Sequence, residues 1–133
     1  MQTITIHPEE IFQALADDTR LRVIRLMAMT GEESCLCELV DSLQEPSYKL
    51  SRHLKILRQA GLLASRKEGR WVYHRLLREP AYLEQLFSTV QALPDPNGVF
   101  RADLERFKER LCLREEGRCQ IGIQSDAFKV EAG

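Results

Sequence analysis

Apolar residues recur every three or four positions along several segments of the chain, which is the spacing that one buried face of an α-helix requires. Leu50, Leu54 and Leu57 form one such stripe, and Leu83 and Phe87 belong to another. Pro, Asp and Ser near the starts and Gly near the ends delimit these segments. The pattern predicts helices over about 8–16, 19–29, 34–43, 47–59, 80–92 and 100–116.

The spacing changes after Gly61, where short runs of aromatic and β-branched residues replace the helical stripe. Residues 62–66 and 71–76 predict two strands, and the turn between them makes an antiparallel hairpin. The chain is therefore expected to be mainly α-helical with one small β-hairpin. Three helices, a short turn around Pro46, a fourth helix and a hairpin follow in the order of a winged helix-turn-helix.

Basic residues are concentrated between Ser47 and Arg75, although the whole chain has a net charge of only −1. This segment contains eight Lys and Arg residues and one acid, Glu68, so it carries +7 and the remainder of the chain −8. A basic segment in an acidic chain is a candidate footprint for a polyanion, although a solvated helix face followed by a charged hairpin would give the same count. Because charge, apolar spacing and element order agree, DNA binding is the favoured interpretation.

The helix predicted over 47–59 is the segment expected to enter the major groove, which is wide enough for one helix. Arg52 is the candidate for a bidentate contact with a guanine edge, and Lys49 and Lys55 are candidates for phosphate contacts. Residues of the hairpin are expected to contact the DNA backbone or the minor groove. The full set of expected DNA contacts is Ser47, Tyr48, Lys49, Ser51, Arg52, His53, Lys55, Arg66, Lys67, Arg70 and Tyr73.

Three stretches of the chain resemble a known family. Residues 47–63, SYKLSRHLKILRQAGLL, resemble the recognition helix of the ArsR/SmtB family of metal-sensing repressors, and residues 66–76, RKEGRWVYHRL, resemble its wing. Residues 12–22 resemble the first two helices of that family, and the likeness covers about 8–92. The resemblance implies a homodimer, joined largely through the first helix and the helix after the wing, that binds an imperfect palindrome in double-stranded promoter DNA.

Cys35 and Cys37 form a Cys-x-Cys pair at the predicted start of the third helix. The pair resembles the motif that arsenic, antimony, cadmium and lead sensors of the family carry in this helix. Arsenite-responsive members often add a cysteine three residues later, where this chain has Val40, so a site made only by this helix does not carry over. The candidates for a third metal ligand are Cys112 and Cys119, either from the same subunit or from its partner.

Soft ions prefer thiolate ligands, and a trivalent arsenic centre with its lone pair suits three of them. If both cysteines of the pair lay on an α-helix, their side chains would point about 200° apart, since the helix has 3.6 residues per turn. One ion held by both would then have to distort the start of the helix, and the distortion would move the DNA-binding helix that follows. Burial of the cysteines as ordinary small apolar residues is the alternative interpretation.

These observations predict a metalloid-responsive transcriptional repressor that leaves its operator when As(III) or Sb(III) binds, and the resemblance links it to arsenic-resistance genes. No cofactor is expected to be needed for DNA binding. Two alternatives keep the fold: a sensor of Cd(II), Pb(II) or another soft metal, and a thiol redox switch. No combination of nucleophile, base and orienting residue is recognisable, so an enzyme is not expected.

The expected domain organisation divides the chain at the break around Pro94–Gly98. Residues 1–93 would form the winged-helix DNA-binding and dimerisation domain, 94–119 a C-terminal extension with one helix and two cysteines, and 120–133 a flexible tail. The N-terminus lacks the basic start and apolar stretch of a signal peptide, so a cytoplasmic location with reduced thiols and no membrane partner is expected.

Overall fold

Helices and three short strands make up most of residues 7–128, the part of the chain that the computed structural model describes. The helices are α1 (Pro8–Leu15), α2 (Asp18–Thr30), α3 (Leu36–Leu43), α4 (Ser47–Gln59), α5 (Tyr82–Gln91) and α6 (Val99–Leu111). The strands are β1 (Ser34–Cys35), β2 (Leu63–Glu68) and β3 (Trp71–Leu76), and a 3-10 helix covers Ser125–Phe128. This is the mainly helical winged helix-turn-helix that the sequence predicts.

Helices α2, α3, α5 and α6 begin one or two residues away from the predicted positions, and local hydrogen bonds explain the starts of α2 and α5. Helix α2 begins at Asp18, one residue before the predicted start, because Asp17 caps it: the Asp17 Oδ1 accepts a hydrogen bond of 3.1 Å from a backbone N–H of the first turn. Helix α5 begins only at Tyr82, because Pro80 lies in the turn before it, where its carbonyl accepts from the Leu83 N–H at 3.0 Å. Helix α2 buries Val23, Ile24 and Met27, and α5 buries Leu83, Phe87 and Val90.

Strands β2 and β3 form the predicted antiparallel hairpin, which we call the wing, and Gly69 in its turn has a positive φ of 60°. A third strand was not predicted: β1 pairs antiparallel with β3, and the strand order is β1-β3-β2. The register sets Ser34 opposite His74 and Cys35 opposite Tyr73. The first cysteine of the Cys-x-Cys pair is thereby attached to a strand of the wing.

The helices pack around one apolar core that includes the predicted C-terminal extension. Leu50, Leu54 and Leu57 of α4 are buried, as expected. Phe107 of α6 belongs to the same buried cluster as Leu83 of α5. The helix that follows the break is therefore packed into the core. Within residues 7–128, no helix is both long enough and apolar enough to cross a membrane.

The chain reverses direction directly after α6, earlier than predicted. Helix α6 ends at Leu111, and a backbone bridge with two hydrogen bonds of 3.0 Å closes the turn at 115–118. In this turn Glu116 and Gly117 have φ values of 54° and 74°, the left-handed conformation that glycine adopts most readily. The reversal returns Cys119 to the start of α3 and to β3.

Residues 120–128 are held against α3 and α6, whereas the sequence predicts a loose tail here. The carboxylate of Asp41 in α3 accepts hydrogen bonds from a backbone N–H of this segment at 2.8 Å and from a serine hydroxyl at 3.1 Å. Arg110 of α6 donates to two of its carbonyls, at 2.8 and 2.9 Å. A buried acid and a buried arginine therefore fix this segment. Residues 129–133 of the expected tail, like residues 1–6 of the expected first domain, lie outside the described range.

Candidate thiol centre and nucleic-acid interface

Cys35 lies just before α3 and not within it. Its backbone is extended, with φ −81° and ψ 157°, and it is the N-cap residue of the helix. Its N–H donates to Glu38 Oε1 at 2.9 Å, which caps the start of the helix. Because only Cys37 is helical, the opposed directions of residues i and i+2 on a helix do not apply. The expectation that an ion must distort the helix to reach both thiols therefore does not hold.

Cys119 reaches the same place from the other end of the chain. Its Sγ lies 3.5 Å from the Sγ of Cys37, and the Sγ atoms of Cys35 and Cys119 lie within 4.8 Å of each other and of a Glu38 carboxylate oxygen. The Sγ atoms of Cys37 and Cys119 also lie 3.6 and 3.5 Å from the Ile121 carbonyl oxygen. All three thiols are buried. We call these three cysteines the thiol centre.

Cys112 lies outside the thiol centre. It is exposed at the C-cap of α6, and its Sγ lies 3.4 Å from the carbonyl oxygen of Lys108, one turn earlier. Of the two candidates for a third ligand, the fold brings Cys119 to the Cys-x-Cys pair within one chain and leaves Cys112 at the surface.

The three thiols differ in how readily they ionise. The hydrogen bond that Cys35 shares with Cys37 raises the pKa of Cys35 and lowers the pKa of Cys37. The Arg110 guanidinium also lowers the pKa of Cys37, whereas burial raises the pKa of Cys119. Cys37 is therefore the thiol of the centre that loses its proton first.

Two buried ion pairs surround the thiol centre, and sequence reasoning missed both. Arg110 Nε donates to Asp41 at 2.6 Å, and both side chains are 0% exposed. Arg114 donates to the two oxygens of Glu38 at 2.7 and 2.8 Å. Each buried acid is thus compensated by an arginine, which its burial requires. The sequence does contain a signal for these ion pairs. Glu38 and Asp41 are acids three residues apart in a mostly apolar helix, and Arg110 and Arg114 are spaced four residues apart near the C-terminus.

Helix α4 presents a polar stripe on the side opposite its buried leucines. Tyr48, which is 71% exposed, begins the stripe. Ser51, Arg52 and Lys55 follow it at i+3, i+4 and i+7 and therefore lie on the same face of the helix. Ser51 and Arg70 line one cleft, so the stripe borders the wing tip, by which we mean the turn around Gly69 and the strand residues next to it. Ser47 is half-buried. The expected DNA contacts that are exposed are Tyr48, Ser51, Arg52, Lys55, Arg66, Lys67 and Arg70.

Three other expected DNA contacts are engaged inside the chain. Tyr73 is 2% exposed, and its hydroxyl accepts a backbone N–H of the thiol centre at 2.8 Å. His53 Nδ1 lies 3.1 Å from the Arg20 guanidinium of α2, and Lys49 forms an ion pair of 2.9 Å with Glu45. Tyr73 is thus too deeply buried in this structure to contact DNA, whereas the expected contacts of half-buried His53 and Lys49 with DNA stay predictions.

Burial of His74 on β3 predicts a loss of stability in mild acid. The side chain is 5% exposed, and desolvation lowers its pKa from 6.5 to about 4. The unfolded chain takes up this proton near pH 6.5, so it binds more protons than the folded chain between the two pKa values. Stability should therefore fall as the pH decreases through this window, by up to about 3 kcal/mol. Urea unfolding at pH 7 and pH 4.5 measures the difference.

The matched variants for this prediction are His74→Gln and His7→Gln. His7 is exposed, and its replacement is the control for the loss of a histidine as such. His74→Gln removes the titrating group, so the change in the free energy of unfolding between the two pH values should shrink by about 2–3 kcal/mol. Equal pH dependence in the wild type and in His74→Gln would contradict this explanation.

Comparison with known proteins decides the family of the chain. A family model described as "Bacterial regulatory protein, arsR family" matches residues 17–65. The arsenic resistance transcriptional regulators ArsR1 and ArsR2 of Pseudomonas putida are 45% and 43% identical over 84 and 89 residues, which are 62% and 65% of this chain and 65% and 76% of those proteins. The arsenical resistance operon repressor of Escherichia coli K12 is 46% identical over 69 residues, 52% of this chain and 58% of that protein.

This chain belongs to the ArsR family.

The ArsR family assignment confirms the resemblance seen in the recognition helix and the wing. The three relatives are named as transcriptional regulators or repressors and not as enzymes, in agreement with the sequence analysis. The chain spans less than two thirds of the length of ArsR1 and of the Escherichia coli repressor. The family match ends at residue 65, so the thiol centre joins a cysteine pair inside the matched segment to Cys119 outside it.

Proposed function

We propose that this ArsR-family chain is a homodimeric transcriptional repressor that leaves its operator DNA when As(III) or Sb(III) binds Cys35, Cys37 and Cys119. The observation that carries the proposal is the 3.5 Å separation of the Cys37 and Cys119 sulfurs, with Cys35 beside them. Cys37 and Cys119 are 82 residues apart in sequence, so local spacing does not account for their short separation.

Three thiols suit a trivalent metalloid. With arsenite as As(OH)3, each sulfur replaces one hydroxide, and the thiol proton leaves with that hydroxide as water. Three As–S bonds thus replace three As–O bonds, with no change of oxidation state or net charge. The absence of a charge change favours this ion at a buried site, because an added charge would be costly to desolvate. Thiolates are also the ligands that soft ions prefer.

The proposed DNA surface is the exposed stripe of α4 together with the wing tip. Arg52 is the candidate to read a guanine edge, and Lys55, Lys67 and Arg70 are candidates to neutralise phosphates. Because phosphate contacts dominate such binding, the affinity should depend strongly on salt concentration. A dimer would read two half-sites of a palindromic operator.

The proposed dimer interface is an apolar groove between α1 and α5. Ile11 and Leu86 line it, together with Phe12 and Tyr82, which are 65% and 44% exposed. Exposed aromatic side chains at an apolar groove are characteristic of surfaces that proteins bury on association. In a two-fold symmetric dimer the same groove of each subunit would face its copy.

A divalent soft ion such as Cd(II) or Pb(II) is the second candidate effector, and Glu38 is the observation that favours it. A carboxylate oxygen within 4.8 Å of two of the sulfurs could act as a fourth, oxygen ligand. Both oxygens of Glu38 accept hydrogen bonds from Arg114, so a divalent ion that uses them would compete with this guanidinium. Three thiolates on As(III) require no such competition, and As(III) is therefore proposed first.

The proposal is tested by the fluorescence anisotropy of a labelled duplex from the upstream region of the gene. The duplex is bound to the reduced protein at fixed ionic strength, and arsenite is titrated in. Near-stoichiometric arsenite should release the duplex, because an effector that binds the free form more tightly shifts the equilibrium towards it. Cys35→Ser and Cys37→Ser proteins should bind the duplex and keep it.

Parallel titrations with Cd(II), Pb(II) and peroxide distinguish the alternatives. Release by Cd(II) or Pb(II), with no effect of arsenite, would contradict the proposal and support the second candidate. Release by peroxide alone would identify the thiol centre as a redox switch. A duplex that remains bound under all four treatments would refute effector-driven release.

A further inference from the structure

The Tyr73 hydroxyl lies between the wing and the thiol centre. Tyr73 is on β3, and its hydroxyl accepts a hydrogen bond of 2.8 Å from the Cys119 N–H. The β1–β3 register also sets Tyr73 directly opposite Cys35. One buried side chain of the wing is therefore in contact with the backbone of Cys119 and paired in the sheet with the position that carries a second thiol.

On its other side, Tyr73 contacts a candidate DNA-binding residue. The Arg66 guanidinium lies over the Tyr73 ring, 4.7 Å from its centroid, and Arg66 is its partner in the β2–β3 register. Arg66 also donates to both oxygens of Glu33, at 2.8 and 2.9 Å. A displacement of the Tyr73 ring would therefore remove one of the two contacts that hold this basic side chain of the wing in place.

We propose that Tyr73 is a positioning residue that transmits the state of the thiol centre to the wing. The inference rests on the proposed function, because it requires arsenite to bind at the thiol centre. An ion drawn between the sulfurs shifts Cys119, and the hydrogen bond from its N–H transmits this shift to the Tyr73 hydroxyl. The wing then loses the arrangement that contacts DNA, whereas α3 need not unwind. The differential affinity of two wing arrangements for DNA is what couples the two sites.

A second connection between the same segments is exposed and serves as the control. Arg118, the neighbour of Cys119, forms an ion pair of 2.9 Å with Glu68 of β2, and the side chains are 61% and 33% exposed. Exposed ion pairs contribute little energy and are screened by salt. Arg118→Gln should therefore leave the coupling between arsenite and DNA close to that of the wild type.

The test variant is Tyr73→Phe, which removes the hydroxyl and keeps the ring under Arg66. The readout is the ratio of DNA dissociation constants with and without saturating arsenite, from anisotropy at fixed salt. Arsenite affinity of the free protein and DNA affinity without arsenite should each stay within about threefold of the wild type. The ratio should fall by about tenfold, because Tyr73→Phe removes the hydrogen bond from the Cys119 N–H, which would be made in only one of the two wing arrangements. By linkage, the effect of DNA on arsenite affinity should fall by the same factor.

The outcomes separate the inference from the proposed function. An unchanged ratio in Tyr73→Phe, with release in the wild type, overturns the role of Tyr73 and leaves the repressor proposal standing. A Tyr73→Phe protein that no longer binds arsenite also overturns it, since the residue would then build the centre and not transmit its state. A wild type that arsenite does not release from DNA overturns the proposed function itself. A reduced ratio in Arg118→Gln, with none in Tyr73→Phe, would assign the coupling to the exposed ion pair.

Discussion

Replacing Cys119 by serine is expected to weaken arsenite binding by more than about 100-fold, because loss of a residue that only supports a metal ligand already costs about 10–100-fold. Cys119 is 1% exposed, and its Sγ lies 3.5 Å from that of Cys37. Serine is nearly isosteric but presents a hard oxygen, which soft ions bind poorly. With two thiolates left, arsenite should no longer release the DNA. Isothermal titration with arsenite and the anisotropy assay measure the two effects.

Cys112→Ser is the matched control for this experiment, because Cys112 is an exposed free cysteine on the same C-terminal segment. It should bind arsenite with the affinity of the wild type. DNA affinity without arsenite should be unchanged in both variants, which verifies that both are folded. An equal loss in Cys112→Ser, or full arsenite affinity in Cys119→Ser, would mean that Cys119 is not the third ligand.

The elements that local sequence determines were predictable. Helix α4 begins and ends where the sequence predicts, because a leucine stripe at helical spacing lies between Pro46 and Gly61. Strand β3 is also predicted to the residue, since a run of aromatic and β-branched residues bounded by a Gly-containing turn specifies a strand locally. Helix α4 carries most of the proposed DNA surface, and β3 is one strand of the wing whose tip carries the rest, so the place of this surface could be inferred without coordinates.

The thiol centre was predictable only in its residue types, because long-range contacts build it. Strand β1 has two residues, too few for any periodicity, and it forms only because β3 offers it an edge. Cys119 comes close to Cys37 because the chain reverses around Gly117 and because Arg110 donates hydrogen bonds to carbonyls of the segment that follows. Neither the pairing of an acid on α3 with an arginine of α6 nor the register of a two-residue strand follows from spacing along the chain.

The buried ion pair between Arg110 and Asp41 leads to the prediction with the largest effect on stability. Asp41→Asn should lower the free energy of unfolding by about 3–5 kcal/mol, because it leaves Arg110 as an uncompensated buried charge. Both side chains are 0% exposed, and Asp41 also accepts a backbone N–H at 2.8 Å from the segment that follows the thiol centre. Urea unfolding at pH 7 measures the change.

Two further variants test whether the loss of stability in Asp41→Asn comes from the buried charge that is left unpaired. Glu84→Gln removes a partner of Arg78 in an ion pair whose side chains are 56% and 41% exposed, so it should change stability by only about 0–1 kcal/mol. The double variant Asp41→Leu with Arg110→Met removes both buried charges together, so it should be less destabilised than the sum of the two single variants. Because Arg110 also holds the carbonyl of Ile121 beside two of the thiols, the double variant should still lose arsenite affinity even where its stability recovers. Recovery of stability without recovery of arsenite binding would separate two roles of this ion pair. The first is the mutual compensation of two buried charges, and the second is the fixing of the segment after Cys119, in which both Asp41 and Arg110 take part.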